Sequence, residues 1–143
     1  MRVRHEQRYE QQQINEKAIE LATKKSIKKA FRLLVDSGHV NPTVNEFCNW
    51  IRDHIDSLDE IQLGDYLGEE GDEKVSPSGK VANSYETIEF HIQLRNTYIG
   101  GASFEGVGFV QALRSMLTES GFRLPGEAQK VGRFLEAFAF LKI

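Results

Sequence analysis

Apolar residues in this chain recur at spacings of three and four, and no segment alternates convincingly at period two, so the fold open to it is built from helices. The clearest case follows the turn Asn41-Pro42-Thr43. There Thr43 and Glu46 have the spacing of a capping box ahead of Val44, Phe47, Cys48, Ile51 and Ile55. Ser26 caps a second helix whose Ile27, Ala30, Phe31 and Leu34 share one face, with Gly38 as its stop. Leu58 to Leu67 reads as a short helix closed by Gly68. Ser84 is expected to cap a helix running to about Ile99, with Tyr85, Ile88, Ile92 and Ile99 on one face and Gly100-Gly101 as its end. Further helices are expected near Val107 to Thr118, using Phe109, Leu113, Met116 and Leu117, and around Val131, Phe134, Leu135 and Phe138. The predicted architecture is all-α, with short connections that pair neighbouring helices as hairpins.

Two stretches depart from this pattern. From Arg2 to about Ala22 the chain is polar and helix-favouring, with a narrow apolar stripe of Ile14, Ala18, Leu21 and Ala22, and reads as a leader helix over residues 1–25 ahead of a helical domain over 26–143. Residues 69–83 mix charge, Gly and Pro without an apolar period and read as a loop.

A chain of 143 residues, 40% hydrophobic with nine Phe, suffices for one domain with its own core. It has no run long and apolar enough to cross a bilayer, and Met1 to Gln13 lacks an apolar secretion signal, so a cytoplasmic location is expected. The lone Cys48 fits a reducing compartment, and beside Phe47 and Trp50 it reads as a buried core thiol. Residues 1–32 carry a net charge of +5 and the remainder −8. The basic front reads as a solvated helix face or, alternatively, as a peripheral contact with anionic membrane. Nucleic-acid binding is set aside, because the aromatics lie in apolar periodic segments and not among the basic residues.

Metal and cofactor chemistry finds no foothold in the spacing. His5, His39, His54 and His91 form no ligand pattern, and the acidic residues Asp65, Glu69, Glu70, Asp72 and Glu73 do not match a calcium loop. Gly106-Val107-Gly108 lacks the Gly-Lys-Ser/Thr that completes a phosphate cradle. The candidate functional residue is Glu127, set just past the Pro125-Gly126 turn where an amphipathic segment begins. Spacing alone favours the plainer reading, a first-turn acid stabilised by the helix macrodipole by about 0.3–1 kcal/mol.

The segment Phe122 to Lys130 resembles the signature loop of the Arf guanine-nucleotide exchange factors, whose catalytic module is the Sec-seven domain. Leu63-Gly64-Asp65-Tyr66-Leu67-Gly68-Glu69, Phe104-Glu105-Gly106 through Ala112-Leu113-Arg114 and Leu117, and more loosely Lys28 to Leu34, resemble other parts of that domain in family order. The resemblance covers roughly residues 26–140 and implies the first part of a right-handed multi-helix array. It implies that Glu127 is a catalytic finger acting on an Arf-class small GTPase, displacing Mg²⁺ and the nucleotide phosphates. It implies that Phe122, Arg123, Leu124, Pro125, Gly126, Ala128, Gln129 and Lys130 meet the partner. Phe122 reads equally as core packing, Arg123 as a solvated loop residue, and Gln129 and Lys130 as surface groups with at most rim contacts. It further implies vesicle-mediated transport and a peripheral place on Golgi or endosomal membranes.

Two departures from the family pattern are visible. Gly132 stands where the family usually has an acid, and a second signature of the Asn-Thr-Asp-Leu-His type does not occur before Ile143. The competing expectation is therefore a truncated, non-catalytic GTPase-binding module.

Overall fold

The structure is a computed structural model, and it describes residues 2–100, 111, 114 and 126–142. Among these residues the chain forms six α-helices and no strand: α1 (Arg2–Lys24), α2 (Ile27–Asp36), α3 (Val44–Asp53), α4 (Glu60–Leu67), α5 (Ile88–Gly100) and α6 (Ala128–Lys142). The fold is all-α. The helix expected near Val107 to Thr118 lies outside the described residues, apart from the helical positions Gln111 and Arg114.

Helix α2 starts where its sequence says it should: the Ser26 side chain accepts a hydrogen bond from the Lys29 amide at 3.2 Å. It ends at Gly38, which has φ +76°, and the His39 amide then reaches back to the Leu34 carbonyl at 2.9 Å. That left-handed conformation strains any residue with a Cβ. Thr43 caps α3 by accepting from the Glu46 amide at 3.3 Å, but the capping box is only half made. The Glu46 carboxylate bonds the Asn41 amide instead, because the Thr43 amide is already bound to the Asn41 carbonyl.

Several boundaries differ from expectation. Helix α3 stops at Asp53, and Ile55–Ser57 form a 3₁₀ turn. Helix α4 starts at Glu60 and not at Leu58, with Asp59 as its cap accepting from the Gln62 amide. Ser84 does not cap α5. Ser84–Glu86 make a 3₁₀ turn, and Thr87 takes the capping role, its Oγ1 accepting from the Phe90 amide at 3.3 Å. Residues 69–83 contain no helix, and a tight turn brings Val75 opposite Val81 in an isolated bridge.

The core is aromatic. Phe31 of α2 stacks on Phe47 of α3 with ring centroids 3.9 Å apart, while Trp50 meets the edge of Phe31, Tyr66 tilts against it, and Tyr85 and Phe90 meet the edge of Phe47. Each ring buried this way contributes about 1.5–3 kcal/mol relative to exposure. Cys48 is buried in this core, and burial pushes its thiol up to about 11, so it is a packing residue with little thiolate character. Helix α1 packs on α2 through Ala18 and Ala22, and Asn15 joins it to α3 by accepting from Trp50 Nε1 at 2.8 Å.

The apolar faces of the last two helices differ from those expected. Helix α5 buries Phe90, His91, Leu94, Arg95, Tyr98 and Ile99, while Ile92, expected inside, is 45% exposed. Helix α6 buries Phe134, Ala137 and Phe138, and Leu135 is 46% exposed. Helix α5 faces α3 and α6, and Arg95 is drawn inward by the Leu67 and Glu69 carbonyls at the end of α4.

Candidate functional site

Glu127 stands immediately before α6, and its carbonyl accepts the Val131 amide at 3.1 Å, so it occupies the cap position of that helix. Its side chain is 71% exposed. The first-turn amides of a helix lack intrahelical acceptors, and the positive end of the macrodipole attracts a negative charge placed there. Among the described residues, the cation paired with it is Lys130, whose Nζ lies 3.9 Å from the Glu127 carboxylate. At that distance and exposure the pair is worth at most about 1 kcal/mol, and it leaves the carboxylate open to solvent.

Of the other residues singled out in sequence, Gly126, Ala128 and Gln129 are exposed beside Glu127. Phe122, Arg123, Leu124 and Pro125 lie outside the described residues. Lys130 is not a free surface group. Its side chain is 17% exposed, and its ammonium sits 3.4 Å from the Asp65 carbonyl and 3.7 Å from the Asp65 carboxylate.

Lys130 is one of three cations gathered at the C-terminal end of α4. Arg133 Nη1 donates to the Gly68 carbonyl at 2.8 Å, and its Nη2 lies 3.6 Å from Glu70. Arg95 Nη1 donates to the carbonyls of Leu67 at 3.2 Å and Glu69 at 2.6 Å. The last carbonyls of a helix have no intrahelical donors and form the negative end of its dipole, so cations are favoured there. Two of these three cations belong to the first two turns of α6. The end of α4 therefore grips the start of α6, next to Glu127.

Gly68 makes that approach possible. A Cβ at this position would lie 3.0 Å from Lys130 Cβ, 3.1 Å from the Phe134 ring and 3.2 Å from the Gly64 carbonyl oxygen. Its backbone is ordinary right-handed helix, so it is space and not conformation that calls for glycine. In the sequence Gly68 reads as a helix stop and, with Asp65, as part of a family-like segment, but nothing there gives Asp65, Arg95 or Arg133 a contact with α6 or the end of α4. The partners are 65 residues apart for Lys130 and Arg133, and 26 to 28 for Arg95, beyond the reach of any local pattern.

Behind this seam lie two ionisable groups that serve packing. His91 is buried against Tyr66, and burial, with repulsion from Arg95 and Lys28, lowers its pKa to about 4, so it is neutral at physiological pH. Burial alone would raise the pKa of Glu86, but hydrogen bonds and charge from Arg32 outweigh it and hold the carboxyl below its ordinary range. Among the described residues no three His, Cys, Asp or Glu side chains converge as a metal site would require.

A sequence model of the Sec7 domain matches residues 11–140. The chain is 32% identical over 130 residues to brefeldin A-inhibited guanine nucleotide-exchange protein 1 of Bos taurus, covering 91% of this chain and 6% of that one. It is 32% identical over 111 residues to brefeldin A-inhibited guanine nucleotide-exchange protein 2 of Arabidopsis thaliana, covering 78% of this chain and 5% of that one. Among solved structures it resembles the Sec7p catalytic domain with a TM-score of 0.64 at 31% identity, covering 88% of this chain and 56% of that one. A structure of ARF1-GDP bound to a Sec7 domain complexed with brefeldin A aligns with a TM-score of 0.67 at 21% identity, covering 94% of this chain and 58% of that one, and speaks to fold alone. The chain thus spans about a twentieth of the length of the curated relatives it matches.

Proposed function

We propose, for a chain that belongs to the Sec7 domain family, that it carries guanine-nucleotide exchange activity toward an Arf-class small GTPase, with Glu127 as the finger that displaces Mg²⁺ and the nucleotide phosphates. The observation that carries this reading is the placement of Glu127: 71% exposed, at the cap of α6, and anchored from behind by Lys130 and Arg133 on α4. A GTPase holds its nucleotide through a phosphate-loop lysine, backbone amides and Mg²⁺ bridging the phosphates. A carboxylate brought to within about 4 Å of a phosphate charge, at an effective dielectric near 20, repels it by about 4 kcal/mol. At about 1.4 kcal/mol per decade that is roughly a thousandfold in nucleotide affinity. The repulsion acts only if the acid is held in place as the partner arrives, and the seam on α4 supplies that hold.

In this reading Phe122, Arg123, Leu124, Pro125, Gly126, Ala128, Gln129 and Lys130 form the contact strip around Glu127. Lys130 adds a positioning role through Asp65. Residues 1–25 form a leader helix and residues 26–143 the helical unit that presents the finger. The basic charge of residues 1–32 suits peripheral contact with an anionic membrane, and with it a cytoplasmic protein that visits Golgi or endosomal surfaces in vesicle traffic. No helix among the described residues is long and apolar enough to cross a membrane.

The test is release of fluorescent GDP from a purified Arf-class GTPase, comparing this chain, its Glu127→Lys variant and a longer stretch of the protein. Faster release that is lost on charge reversal supports the reading. Binding of the GTPase with no effect on release by any of the three would replace it with a non-catalytic interaction module.

A further inference from the structure

We propose that the cleft between α5 and α6 is a binding site for a carboxylate on a short aliphatic stem, distinct from the Glu127 strip. The cleft has a volume of about 380 Å³ and is lined by Ile92, Arg95, Asn96, Arg133, Glu136 and Ala137. Its central group is Arg95, only 5% exposed. A buried guanidinium is costly unless its charge is met. Arg95 Nη1 is occupied by the Leu67 and Glu69 carbonyls, but no carboxylate among the described residues lies within ion-pair distance, and its Nε and Nη2 have no partner there. The carbonyls supply dipoles and not a full charge. Arg133 stands close enough that, after burial, its charge is the main influence lowering the Arg95 pKa, with Glu136 acting in the opposite sense. Glu136 and Glu70 balance the two arginines in number, but Arg95 itself has no carboxylate in direct contact among the described residues.

The surroundings decide which anion fits. An Nε and Nη2 edge matches the two oxygens of a carboxylate. Glu136 on the cleft wall and Glu70 beside Arg133 disfavour the second charge of a phosphate monoester. Ile92 and Ala137 offer an aliphatic wall for a methylene stem, and Asn96 offers an amide donor. A glutamate side chain of a partner polypeptide and a free short-chain acid share this chemistry. Either occupant would sit behind the same two arginines that grip the end of α4.

The test is an NMR titration of the whole chain, following the Arg95 side-chain Nε–H and the α5 and α6 amides. The probes are butyrate, an acetylated, amidated pentapeptide with one central glutamate, and inorganic phosphate. A saturable shift at Arg95 with butyrate is expected. Tenfold or tighter binding of the peptide assigns a polypeptide source, and anything less assigns a free acid. Glu136→Gln, at an exposed position, should tighten butyrate roughly two- to fivefold by removing a repelling charge. Asn96→Asp should abolish saturation by placing a carboxylate beside the guanidinium. No saturable shift at Arg95, phosphate binding as tightly as butyrate, or butyrate affinity unchanged in both variants would overturn the proposal.

Discussion

Two glutamates in this molecule have opposite surroundings. Glu86 is 5% exposed and is held by Arg32, Nε to Oε1 at 2.6 Å and Nη2 to Oε2 at 3.2 Å, with Asn83 Nδ2 at 3.3 Å. Glu127 is 71% exposed and, among the described residues, has one cation, Lys130, at 3.9 Å. The first joins α2 to the start of α5, and its acceptor capacity is consumed inside the fold. The second contributes little to stability, so its charge remains available to a partner. A carboxylate that binds strongly within its own chain cannot also repel a phosphate on another molecule. In the proposed reading, the difference between a structural and a functional acid lies in which partners are left for it.

The widest separation between the two is expected from Glu127→Lys. In the proposed reading its effect on GDP release from an Arf-class GTPase is a loss of about a thousandfold. The folded chain should lose only about 1 kcal/mol, or about 4 °C in Tm, from the lost pair with Lys130 and the cation placed at a helix start. A much larger fall in Tm would show Glu127 to be a structural acid like Glu86 and remove the contrast.

Acid should act on the buried side of the comparison first. His91 has its pKa lowered to about 4 from an ordinary 6.5, so the folded state prefers the neutral ring while the unfolded chain takes a proton more readily. The stability from that preference is complete above about pH 6.5 and is lost as pH falls toward 4, by up to about 3 kcal/mol. Arg95 and Lys28 face the ring and oppose its protonation, while Glu86 and Asp72 favour it. The Glu86 pKa is lowered, so its contribution holds above the ordinary carboxyl range and is lost only below it. Glu69 is raised, chiefly by burial, and returns some stability as pH falls. The measurement is Tm against pH. His91→Gln should flatten the slope between pH 6.5 and 4, and an unchanged slope would remove His91 from the account.

How far these features can be read in the sequence depends on the range of the forces involved. Ser26, Thr43 and the α2 stripe are legible because a cap and its amide lie three residues apart. The start of α5 is not, because Ser84 and Thr87 are both suitable caps, and the choice of Thr87 goes with the bridge between Asp72 and Thr87, which only the folded chain makes. Its inward face is hidden because periodicity counts isoleucines, whereas Arg95 is drawn inside by carbonyls 26 and 28 residues away. The place of Glu127 at the start of an amphipathic helix is visible. What holds it there is not, since Asp65 and Gly68 meet Lys130 and Arg133 only in three dimensions.

Glu86→Gln sharpens the structural side with a smaller effect. Gln keeps one acceptor for Arg32 but turns an amide toward the donors of Arg32 and Asn83. Arg32 is 47% exposed and can turn to water, so the expected cost is about 1–2 kcal/mol by urea unfolding, with GDP release unaltered where the chain is folded. A loss of release out of proportion to unfolding would mean that the two acids are coupled.

The smallest expected effects come from two glycines on either side of the α4–α6 seam. Gly68→Ala places a methyl group within 3.2 Å of Lys130 Cβ, the Phe134 ring and the Gly64 carbonyl, none of which is the loose end of a flexible chain. The helix must move by a few tenths of an ångström, at a cost of about 1 kcal/mol. A methyl group added at Gly132 would meet nothing within 4 Å, and this glycine is exposed on α6, so Gly132→Ala should stabilise by up to about 1 kcal/mol through helix propensity alone. If the seam positions Glu127, Gly68→Ala should slow release several-fold at temperatures where the chain is fully folded, because small displacements of a reacting group cost more in rate than in stability. Gly132→Ala should leave release intact. Equal, small changes in both would mean that the acid finds its place when the partner arrives, and that the grip on α4 serves only to keep α6 folded.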